Sequence, residues 1–220
     1  MIGNRSSAVR QQRHEPHDSL DDFPTPPWAT RALCEWLKAR CMIPPLADVR
    51  EPAANRGHMA RVLGEYFARV HASDIHDYGV GYPVCDYLFG PVPERSFWVI
   101  TNPPFKLALA FIERARASAG YVAMIVRSAF LEGGARYRDL FADDPPRYVL
   151  QFCERVVMHK GCLSEHGSTA TAYCWLIWTP ARGDMTQLDW IPPGTRKRLE
   201  RAGDYPAIAV NPGAQHNGFI

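Results

Sequence analysis

Short apolar segments alternate with amphipathic helical segments along this chain, and this alternation constrains its fold more than any other feature. The segments 121–126 and 172–179 are apolar at nearly every position, whereas 107–119 repeats its apolar residues at helical spacing. A strand without a polar face is typical of a parallel sheet that helices cover on both sides. We therefore predict the α/β class, with a mostly parallel sheet and helices on both faces.

The predicted elements follow one another as expected for a doubly wound sheet. Strands are predicted at 46–51, 69–74, 97–101, 121–126, 148–153 and 172–179, and helices at 28–41, 58–67 and 107–119. After Trp190 the chain shows little sign of a further core element, because two prolines and a basic stretch follow. We therefore expect a disordered tail at 1–20, a single domain at 21–190 and a C-terminal tail at 191–220.

Composition and charge exclude several classes of protein. The chain has 220 residues, of which 46% are hydrophobic and 22% charged, and its formal net charge is +2. A uniformly basic surface is therefore excluded, although a local basic groove is compatible with this charge. The sequence contains no run of about 18 apolar residues, and it begins with a polar stretch. We expect no signal peptide, no membrane association and a cytoplasmic location.

The cysteines predict neither a disulfide scaffold nor a metal site. The sequence contains six, and their spacing matches no small disulfide framework and no paired C-x-x-C motif, so we expect reduced thiols. His159, Cys162 and His166, with Cys153 upstream, supply four potential ligands, but their spacing fits no zinc motif. We therefore predict that the protein binds no metal.

Three loops after predicted strands carry residues suited to an adenosine-containing ligand, because ligands of such sheets bind beyond the carboxyl ends of the strands. The loop 51–58 begins with Glu51 and places Gly57 before a helix, which allows a close approach to the backbone; a tight turn is the alternative. Asp74 stands where an acid binds ribose hydroxyls, unless it forms an Asx turn or a helix cap. Asp86 and Tyr87 can accept from an adenine amine and pack its ring, unless Asp86 is an ordinary loop acid.

A fourth loop, 102–105, follows the predicted strand 97–101 directly. Its sequence is Asn102-Pro103-Pro104-Phe105. Two consecutive prolines offer no donor and fix the backbone, so carbonyl groups can point into a site. Asn102 and the Pro103 carbonyl can together accept the two hydrogens of an exocyclic amine, while Phe105 stacks on its ring. A plain Pro-Pro turn is the alternative.

These motifs resemble those of the S-adenosylmethionine-dependent amino-methyltransferases. From about Asp21 to about Pro180 the chain is most similar to the adenine-specific (N6) DNA methyltransferases, in particular the small phage or prophage type. Residues 102–105 match the family's NPPF catalytic motif, and 51–57 match its cofactor loop. The segment 23–26 resembles the N-terminal motif that closes over the methionine part of the cofactor, and 168–178 resembles the final strand of the same enzymes.

The resemblance implies a single Rossmann-like class I methyltransferase domain with a seven-stranded sheet. It also implies S-adenosylmethionine as the cofactor, S-adenosylhomocysteine as the product, and methylation of the exocyclic N6 amine of adenine in double-stranded DNA after base flipping. The implied catalytic residues are Asn102, Pro103, Pro104 and Phe105. The implied cofactor-binding residues are Thr25, Pro26, Glu51, Pro52, Ala53, Asn55, Gly57, Asp74, Asp86, Tyr87 and Asn102.

This chain departs from the family pattern at two places. Asn55 stands where the cofactor loop of the family has glycine, so its side chain either crowds the cofactor or points away from it. The chain also lacks a separate target-recognition domain, and we expect loops to recognise the substrate. The candidate is the basic stretch 127–170, for which a solvated charged face is the alternative. The predicted substrate-binding residues are Phe105, Arg127, Arg155, His159 and Lys160.

The same motifs are compatible with other functions. A base amine in structural RNA and the amide of a protein glutamine also present a planar nitrogen to the loop 102–105. A non-catalytic nucleic-acid-binding module of the same fold is a third alternative, which Asn55 supports and the complete NPPF motif opposes. The sequence leaves open the recognition sequence, the biological role, and whether the protein is a monomer or a homodimer.

Overall fold

The structure is a computed structural model that describes residues 21–181 and 185–205. The tail predicted at 1–20 and residues 206–220 of the tail predicted at the C-terminus lie outside the described residues.

Seven strands of this part form a single sheet in the order β2-β1-β3-β4-β6-β5-β7. They are β1 (Asp48–Glu51), β2 (Arg69–Ala72), β3 (Ser96–Thr101), β4 (Ala119–Arg127), β5 (Tyr148–Phe152), β6 (Tyr173–Trp178) and β7 (Gln187–Ile191). β6 is antiparallel to both of its neighbours, and all other neighbouring strands are parallel. The predicted seven-stranded, mostly parallel sheet is confirmed.

Helices cover both faces of this sheet, as predicted. They are α1 (Pro27–Ala39), α2 (His58–Leu63), α3 (Ala108–Ser118), α4 (Gly134–Arg136) and α5 (Thr195–Leu199). α1 begins with Pro27, which suits a first helical turn because its missing N–H has no intrahelical partner there. α2 ends at Leu63, before the predicted end at Phe67, because Gly64 follows and glycine is a poor helix former.

The side chains of the central strands alternate between two hydrophobic cores. In β4, Ala123 and Ile125 pack with α1 and α2, whereas Val122 and Met124 pack with α3. The tryptophans of β6 also lie on opposite faces, and both are almost fully buried. The continuous apolar runs of the sequence therefore reflect burial on both faces.

The end of the chain corrects the expectation that a tail begins after Trp190. β7 runs through that boundary to Ile191 and pairs in parallel with β5. Ile191 and Leu199 are buried in the core shared with α1. The strand lacks a clear sequence signal because it forms an edge of the sheet, where Leu188 and Trp190 remain 50% and 56% exposed.

The strand order defines where a ligand can bind. From β1 the chain passes outward to β2 and then crosses back to β3, so the winding of the sheet reverses between β1 and β3. Such switch points leave a crevice beyond the carboxyl ends of the two strands. Glu51 is the last residue of β1, and Asn102 directly follows β3, so two of the predicted loops flank this crevice.

Candidate active site

A pocket occupies this crevice, and most of the predicted cofactor-binding residues line it. Of the predicted site residues, the pocket is lined by Thr25, Glu51, Pro52, Ala53, Asn55, Asp74, Asp86, Tyr87, Asn102 and Pro104. Pro26, Gly57, Pro103 and Phe105 are not in its lining, and neither are the predicted substrate-binding residues on the stretch 127–170. The structure thus gathers residues from four separate loops around one space.

The N-terminal segment, residues 21–25, forms one wall of the pocket and contacts three other loops. The Asp21 carboxylate accepts a hydrogen bond from the Phe105 backbone N–H. The Asp22 carboxylate contacts the loop after β1, and its backbone carbonyl accepts from the Gly161 N–H at 2.8 Å. Sequence reasoning missed the two aspartates, although an acidic pair directly before the predicted motif is a signal that could have pointed to them.

The nitrogen of the Asn102 side chain is hydrogen-bonded, whereas its oxygen has no partner among the described residues. Its Nδ2 donates to the Phe23 carbonyl at 2.8 Å, and it lies 3.8 Å from the Met158 Sδ. Its buried Oδ1 has no hydrogen-bond partner among the described residues. Because the amide nitrogen donates to the protein, the amide oxygen is left as an acceptor for a ligand.

Glu51 places a buried carboxyl group at the end of β1. The residue is 2% exposed, and its Oε2 has no partner within the described part of the chain. Burial raises the pKa of this carboxyl well above its usual value, and the neighbouring Asp74 carboxylate adds to the shift. A positively charged ligand in the pocket would favour the ionised form.

Asp74 is anchored by backbone amides and still presents lone pairs. Its Oδ2 accepts from the Asn55 N–H at 2.8 Å, and its Oδ1 accepts from the His76 N–H at 3.0 Å. A carboxylate has about four acceptor sites, so this arrangement leaves acceptors for a pair of hydroxyls. The Asx turn that was the alternative interpretation is therefore present, and it orients the acid within the pocket.

Asp86 and Tyr87, predicted to bind adenine together, lie in different surroundings. Asp86 is exposed, and its Oδ1 accepts from the Leu88 N–H at 2.9 Å. Tyr87 is only 5% exposed, and its ring packs against Phe111 at 5.1 Å between centroids. Tyr87 thus belongs to the core under the pocket, and Leu88 adds further apolar lining.

Gly57 allows a close packing contact behind the loop after β1. It adopts a φ of +79°, and a Cβ built on it would lie 2.4 Å from the Tyr82 hydroxyl oxygen. Only glycine combines this backbone conformation with this approach. The close approach at Gly57 is therefore to Tyr82, and its part in cofactor binding stays a prediction.

His58, at the start of α2, also lines the pocket, and sequence reasoning missed it. Burial, together with the positive charges of Arg61 and Arg56, lowers its pKa to about 4. The neutral imidazole lies with its Nδ1 2.7 Å from an Arg61 nitrogen. His58 therefore adds a neutral polar group to the pocket at physiological pH.

Beside the pocket, Phe105 and Arg127 form a flat surface. The Arg127 guanidinium carbon lies 4.0 Å from the centroid of the Phe105 ring. Phe23 and Tyr173 stand next to the same ring, at centroid distances of 5.4 and 6.4 Å. Burial raises the pKa of the Tyr173 hydroxyl, and the adjacent Arg127 guanidinium opposes that shift. The structure thus brings two of the predicted substrate-binding residues together.

The other predicted substrate-binding residues lie on the loop after β5. Arg155 is exposed, and His159 forms a bridge with Cys162, so that the loop turns back at Gly161 onto the N-terminal segment. Lys160 is exposed in this turn. Other basic residues of the stretch 127–170 make local contacts, as Arg136 does with the carbonyls of Ala129 and Glu132.

Potential metal ligands do not converge within residues 21–181 and 185–205. There, no group of three or more histidine, cysteine, aspartate or glutamate side chains is arranged to hold a metal ion. The six cysteines are free thiols. No helix of this part is long and apolar enough to cross a bilayer.

Solved structures share this fold at low sequence identity. A protein assigned as a class I S-adenosylmethionine-dependent methyltransferase from Listeria monocytogenes superposes with a TM-score of 0.62 and 14% identity, over 84% of this chain and 72% of its own. The methyltransferase subunit of a type I restriction-modification system from Streptococcus thermophilus superposes with a TM-score of 0.56 and 13% identity, over 73% of this chain and 45% of its own. A protein assigned as an RNA methyltransferase from Pyrococcus horikoshii superposes with a TM-score of 0.53 and 16% identity, over 76% of this chain and 91% of its own.

These similarities establish the fold. No protein-family model matches the sequence, and no curated protein matches it either. The chain spans less than half of the restriction-modification subunit. The described domain has the Rossmann-like fold of the class I methyltransferases, as predicted.

Proposed function

We propose that this protein is an S-adenosylmethionine-dependent methyltransferase that acts on the exocyclic N6 amine of adenine in DNA. The observation that carries the proposal is the Asn102 amide, which is anchored through its Nδ2 and presents an unpartnered Oδ1 within the described chain. It lies at the switch point of a class I methyltransferase fold, directly before two prolines and an aromatic residue.

The pocket suits the cofactor in charge and in hydrogen-bonding capacity. S-adenosylmethionine carries a sulfonium cation and an ammonium group, and the buried Glu51 carboxyl is the matching acid. The Thr25 hydroxyl and the Glu51 Oε2 are buried without a partner among the described residues, which is costly unless a ligand supplies one. Asp74 retains acceptors for ribose hydroxyls, and Leu88 and Phe111 offer apolar surface to an adenine ring.

The catalytic loop suits an amine held as a hydrogen-bond donor. Asn102 Oδ1, with the Pro103 carbonyl beside it in the chain, would accept the two hydrogens of the amine and direct its lone pair toward the cofactor pocket. When bound, S-adenosylmethionine supplies a methyl group that this nitrogen can attack in line, leaving neutral S-adenosylhomocysteine. The loop contributes positioning and polarisation, and the proton of the methylated amine passes to solvent.

A base in duplex DNA reaches this loop only when it is flipped out of the stack. Phe105 supports this step because its ring lies beside the pocket with Phe23 and Tyr173 around it. Arg127, which covers the ring, and the basic residues Arg155, His159 and Lys160 are proposed to contact the substrate. The likeness to a restriction-modification methyltransferase subunit favours DNA, and the likeness to a protein assigned as an RNA methyltransferase makes RNA the alternative to test.

The test is transfer of a labelled methyl group from S-adenosylmethionine to unmethylated duplex DNA, with total tRNA and a protein extract in parallel. Nucleoside digestion and mass analysis identify the modified atom. We expect N6-methyldeoxyadenosine from the DNA.

Each other outcome changes the proposal in a defined way. Methylated nucleosides from the tRNA alone would replace DNA by RNA as the substrate, and methylglutamine would replace it by protein. The absence of both transfer and S-adenosylmethionine binding would favour a non-catalytic nucleic-acid-binding module of this fold.

A further inference from the structure

Asn55 connects the loop after β1 with the N-terminal segment, and both polar atoms of its side chain are hydrogen-bonded. Its Nδ2 donates to the Asp22 Oδ1 at 2.6 Å, and its Oδ1 accepts from the Arg56 backbone N–H at 2.7 Å. Its own N–H donates to Asp74. The side chain therefore points toward Asp22 in the N-terminal segment, which forms one wall of the pocket.

The backbone of Asn55 is in a conformation that asparagine tolerates better than most residues. Its φ is +51°, in the left-handed region where a short polar side chain can hydrogen-bond locally. This conformation turns its side chain toward Asp22. A glycine at this position could adopt the same backbone but could not make the contact.

Arg56 completes the connection from the other side. Its Nη1 lies 3.0 and 3.1 Å from the two oxygens of the Asp22 carboxylate, and 3.1 Å from the Asn55 Oδ1. Its guanidinium also stands 4.8 Å from the Tyr78 ring centroid. Asp22 is only 8% exposed, so these are charge-assisted hydrogen bonds in a shielded place.

The contact has a consequence for the catalytic loop. The residue after Asp22 is Phe23, whose carbonyl accepts from the Asn102 Nδ2, and the residue before it is Asp21, which accepts from the Phe105 N–H. A shift of Asp22 would move both acceptors. The Asn102 amide would then lose the bond that selects its orientation.

We propose that Asp22 and Asn55 are positioning residues, a latch that holds the N-terminal segment against the loop after β1 and thereby fixes the Asn102 amide. Its effect on catalysis rests on the proposed function, whereas the latch itself is a property of the free protein. Because residues of the N-terminal segment line the pocket, loss of the latch should also speed the release of the cofactor.

An exchange of the two side chains tests the latch. Asp22→Asn removes the ionic partner of Arg56, and Asn55→Asp places two carboxylates at hydrogen-bond distance. In the double exchange Asp22→Asn with Asn55→Asp, the amide at position 22 can donate to the carboxylate at position 55. That carboxylate can also pair with Arg56, because the Arg56 Nη1 already lies 3.1 Å from the Asn55 Oδ1. A double-mutant cycle then measures the coupling of the two positions.

Two readouts separate positioning from a general effect on folding. In the cofactor-free protein, hydrogen exchange in a peptide covering 21–33 should accelerate at least about tenfold in each single variant, the scale of a lost charge-assisted hydrogen bond. With cofactor, the dissociation rate of S-adenosylmethionine should rise and kcat should fall by similar factors. The double exchange should return each value to within about threefold of the unaltered protein.

Asp77→Asn is the matched control, because Asp77 precedes Tyr78 and, among the described residues, accepts only from the Gly79 N–H of its own turn. It should change none of these values. Hydrogen exchange in 21–33 that is unaltered in the single variants, or a double exchange no better than the worse single variant, would overturn the latch. An unaltered protein that binds no S-adenosylmethionine would contradict the proposed function, and hydrogen exchange would still decide the latch.

Discussion

The proposed role of Asn102 in holding the substrate amine depends on one atom, its Oδ1. At the scale of a single residue, a variant without this oxygen gives the most direct test. Asn102→Ala should lower kcat for methyl transfer by about 100-fold or more, the scale of losing a preorganised group at a reacting centre. S-adenosylmethionine affinity, measured by calorimetry, should stay largely intact. Asn102→Asp keeps an acceptor but loses the donor to the Phe23 carbonyl, so an intermediate kcat is expected. Loss of cofactor binding in Asn102→Ala would assign the residue to the cofactor instead.

Glu51 should make stability depend on pH in the cofactor-free protein. Because its pKa is raised on folding, the folded protein keeps a proton that the unfolded chain has lost, so stability falls as pH rises above the unfolded value of about 4.5. Glu51→Gln removes this loss. Its thermal midpoint should exceed that of the unaltered protein increasingly from pH 5 to pH 8, at about 2–4 °C per kcal/mol for a domain of this size.

The same variant should bind S-adenosylmethionine more weakly, because no carboxylate then balances the positive charge of the cofactor. Calorimetry at pH 8 measures this difference. Glu113→Gln is the control, since Glu113 is exposed on α3. A midpoint difference that shrinks as pH rises would contradict the assignment of Glu51 as a buried acid with a raised pKa.

At the scale of an element, the turn between β1 and α2 depends on Gly57. Gly57→Ala combines left-handed strain of about 1–2 kcal/mol with an overlap against Tyr82. Gly79→Ala is the matched control, since its φ is +72° and no atom of the described residues lies within 4 Å of a Cβ built on it. Chemical denaturation should show the larger loss of stability for Gly57→Ala. Equal losses would mean that Tyr82 moves away without cost.

Sequence patterns predicted the central elements well because burial on both faces leaves a strong local signal. β4 and β6 were predicted to within about two residues from continuous apolar runs, as expected for doubly covered strands. β7 was missed because an edge strand keeps Leu188 and Trp190 half exposed and so shows no such run. The sequence therefore predicts a strand most reliably where both faces of the strand are buried.

The sequence predicted those parts of the candidate site that consist of a short motif within one loop. The loops 51–57 and 102–105 have recognisable compositions, and the structure places both at one crevice. The partners of Asp21 and Asp22 are 84 and 33 residues away along the chain, and no local pattern reports such pairs. The departure from glycine at Asn55 was visible in the sequence, whereas its contact with Asp22 required the tertiary structure.

At the scale of the whole molecule, Arg31 connects the beginning of the domain with its end. It is 4% exposed and bonds to Glu65, to Asp204 and to the Leu199 carbonyl. Arg31→Ala removes the arginine partner of the Asp204 carboxylate, whose side chain is 7% exposed, whereas Glu65 keeps its ion pair with Arg201. The variant should cost about 3–5 kcal/mol in unfolding free energy.

Arg40→Ala is the control for this prediction, because the ion pair of Arg40 with Asp189 is about one third exposed. It should cost about 1 kcal/mol or less. Urea denaturation of both variants measures the difference. Comparable costs would show that residues 199–204 contribute little to the stability of the domain.

The position of β6 has a consequence for how the molecule is made. β6 lies between β4 and β5, and both neighbours of β5 follow it in the chain. A nascent polypeptide that has left the ribosome only as far as residue 152 therefore holds β5 without a neighbour and β4 with an open apolar edge. Such unpaired strands are prone to aggregate. The time taken to translate 153–178 thus sets how long β5 remains without a neighbouring strand.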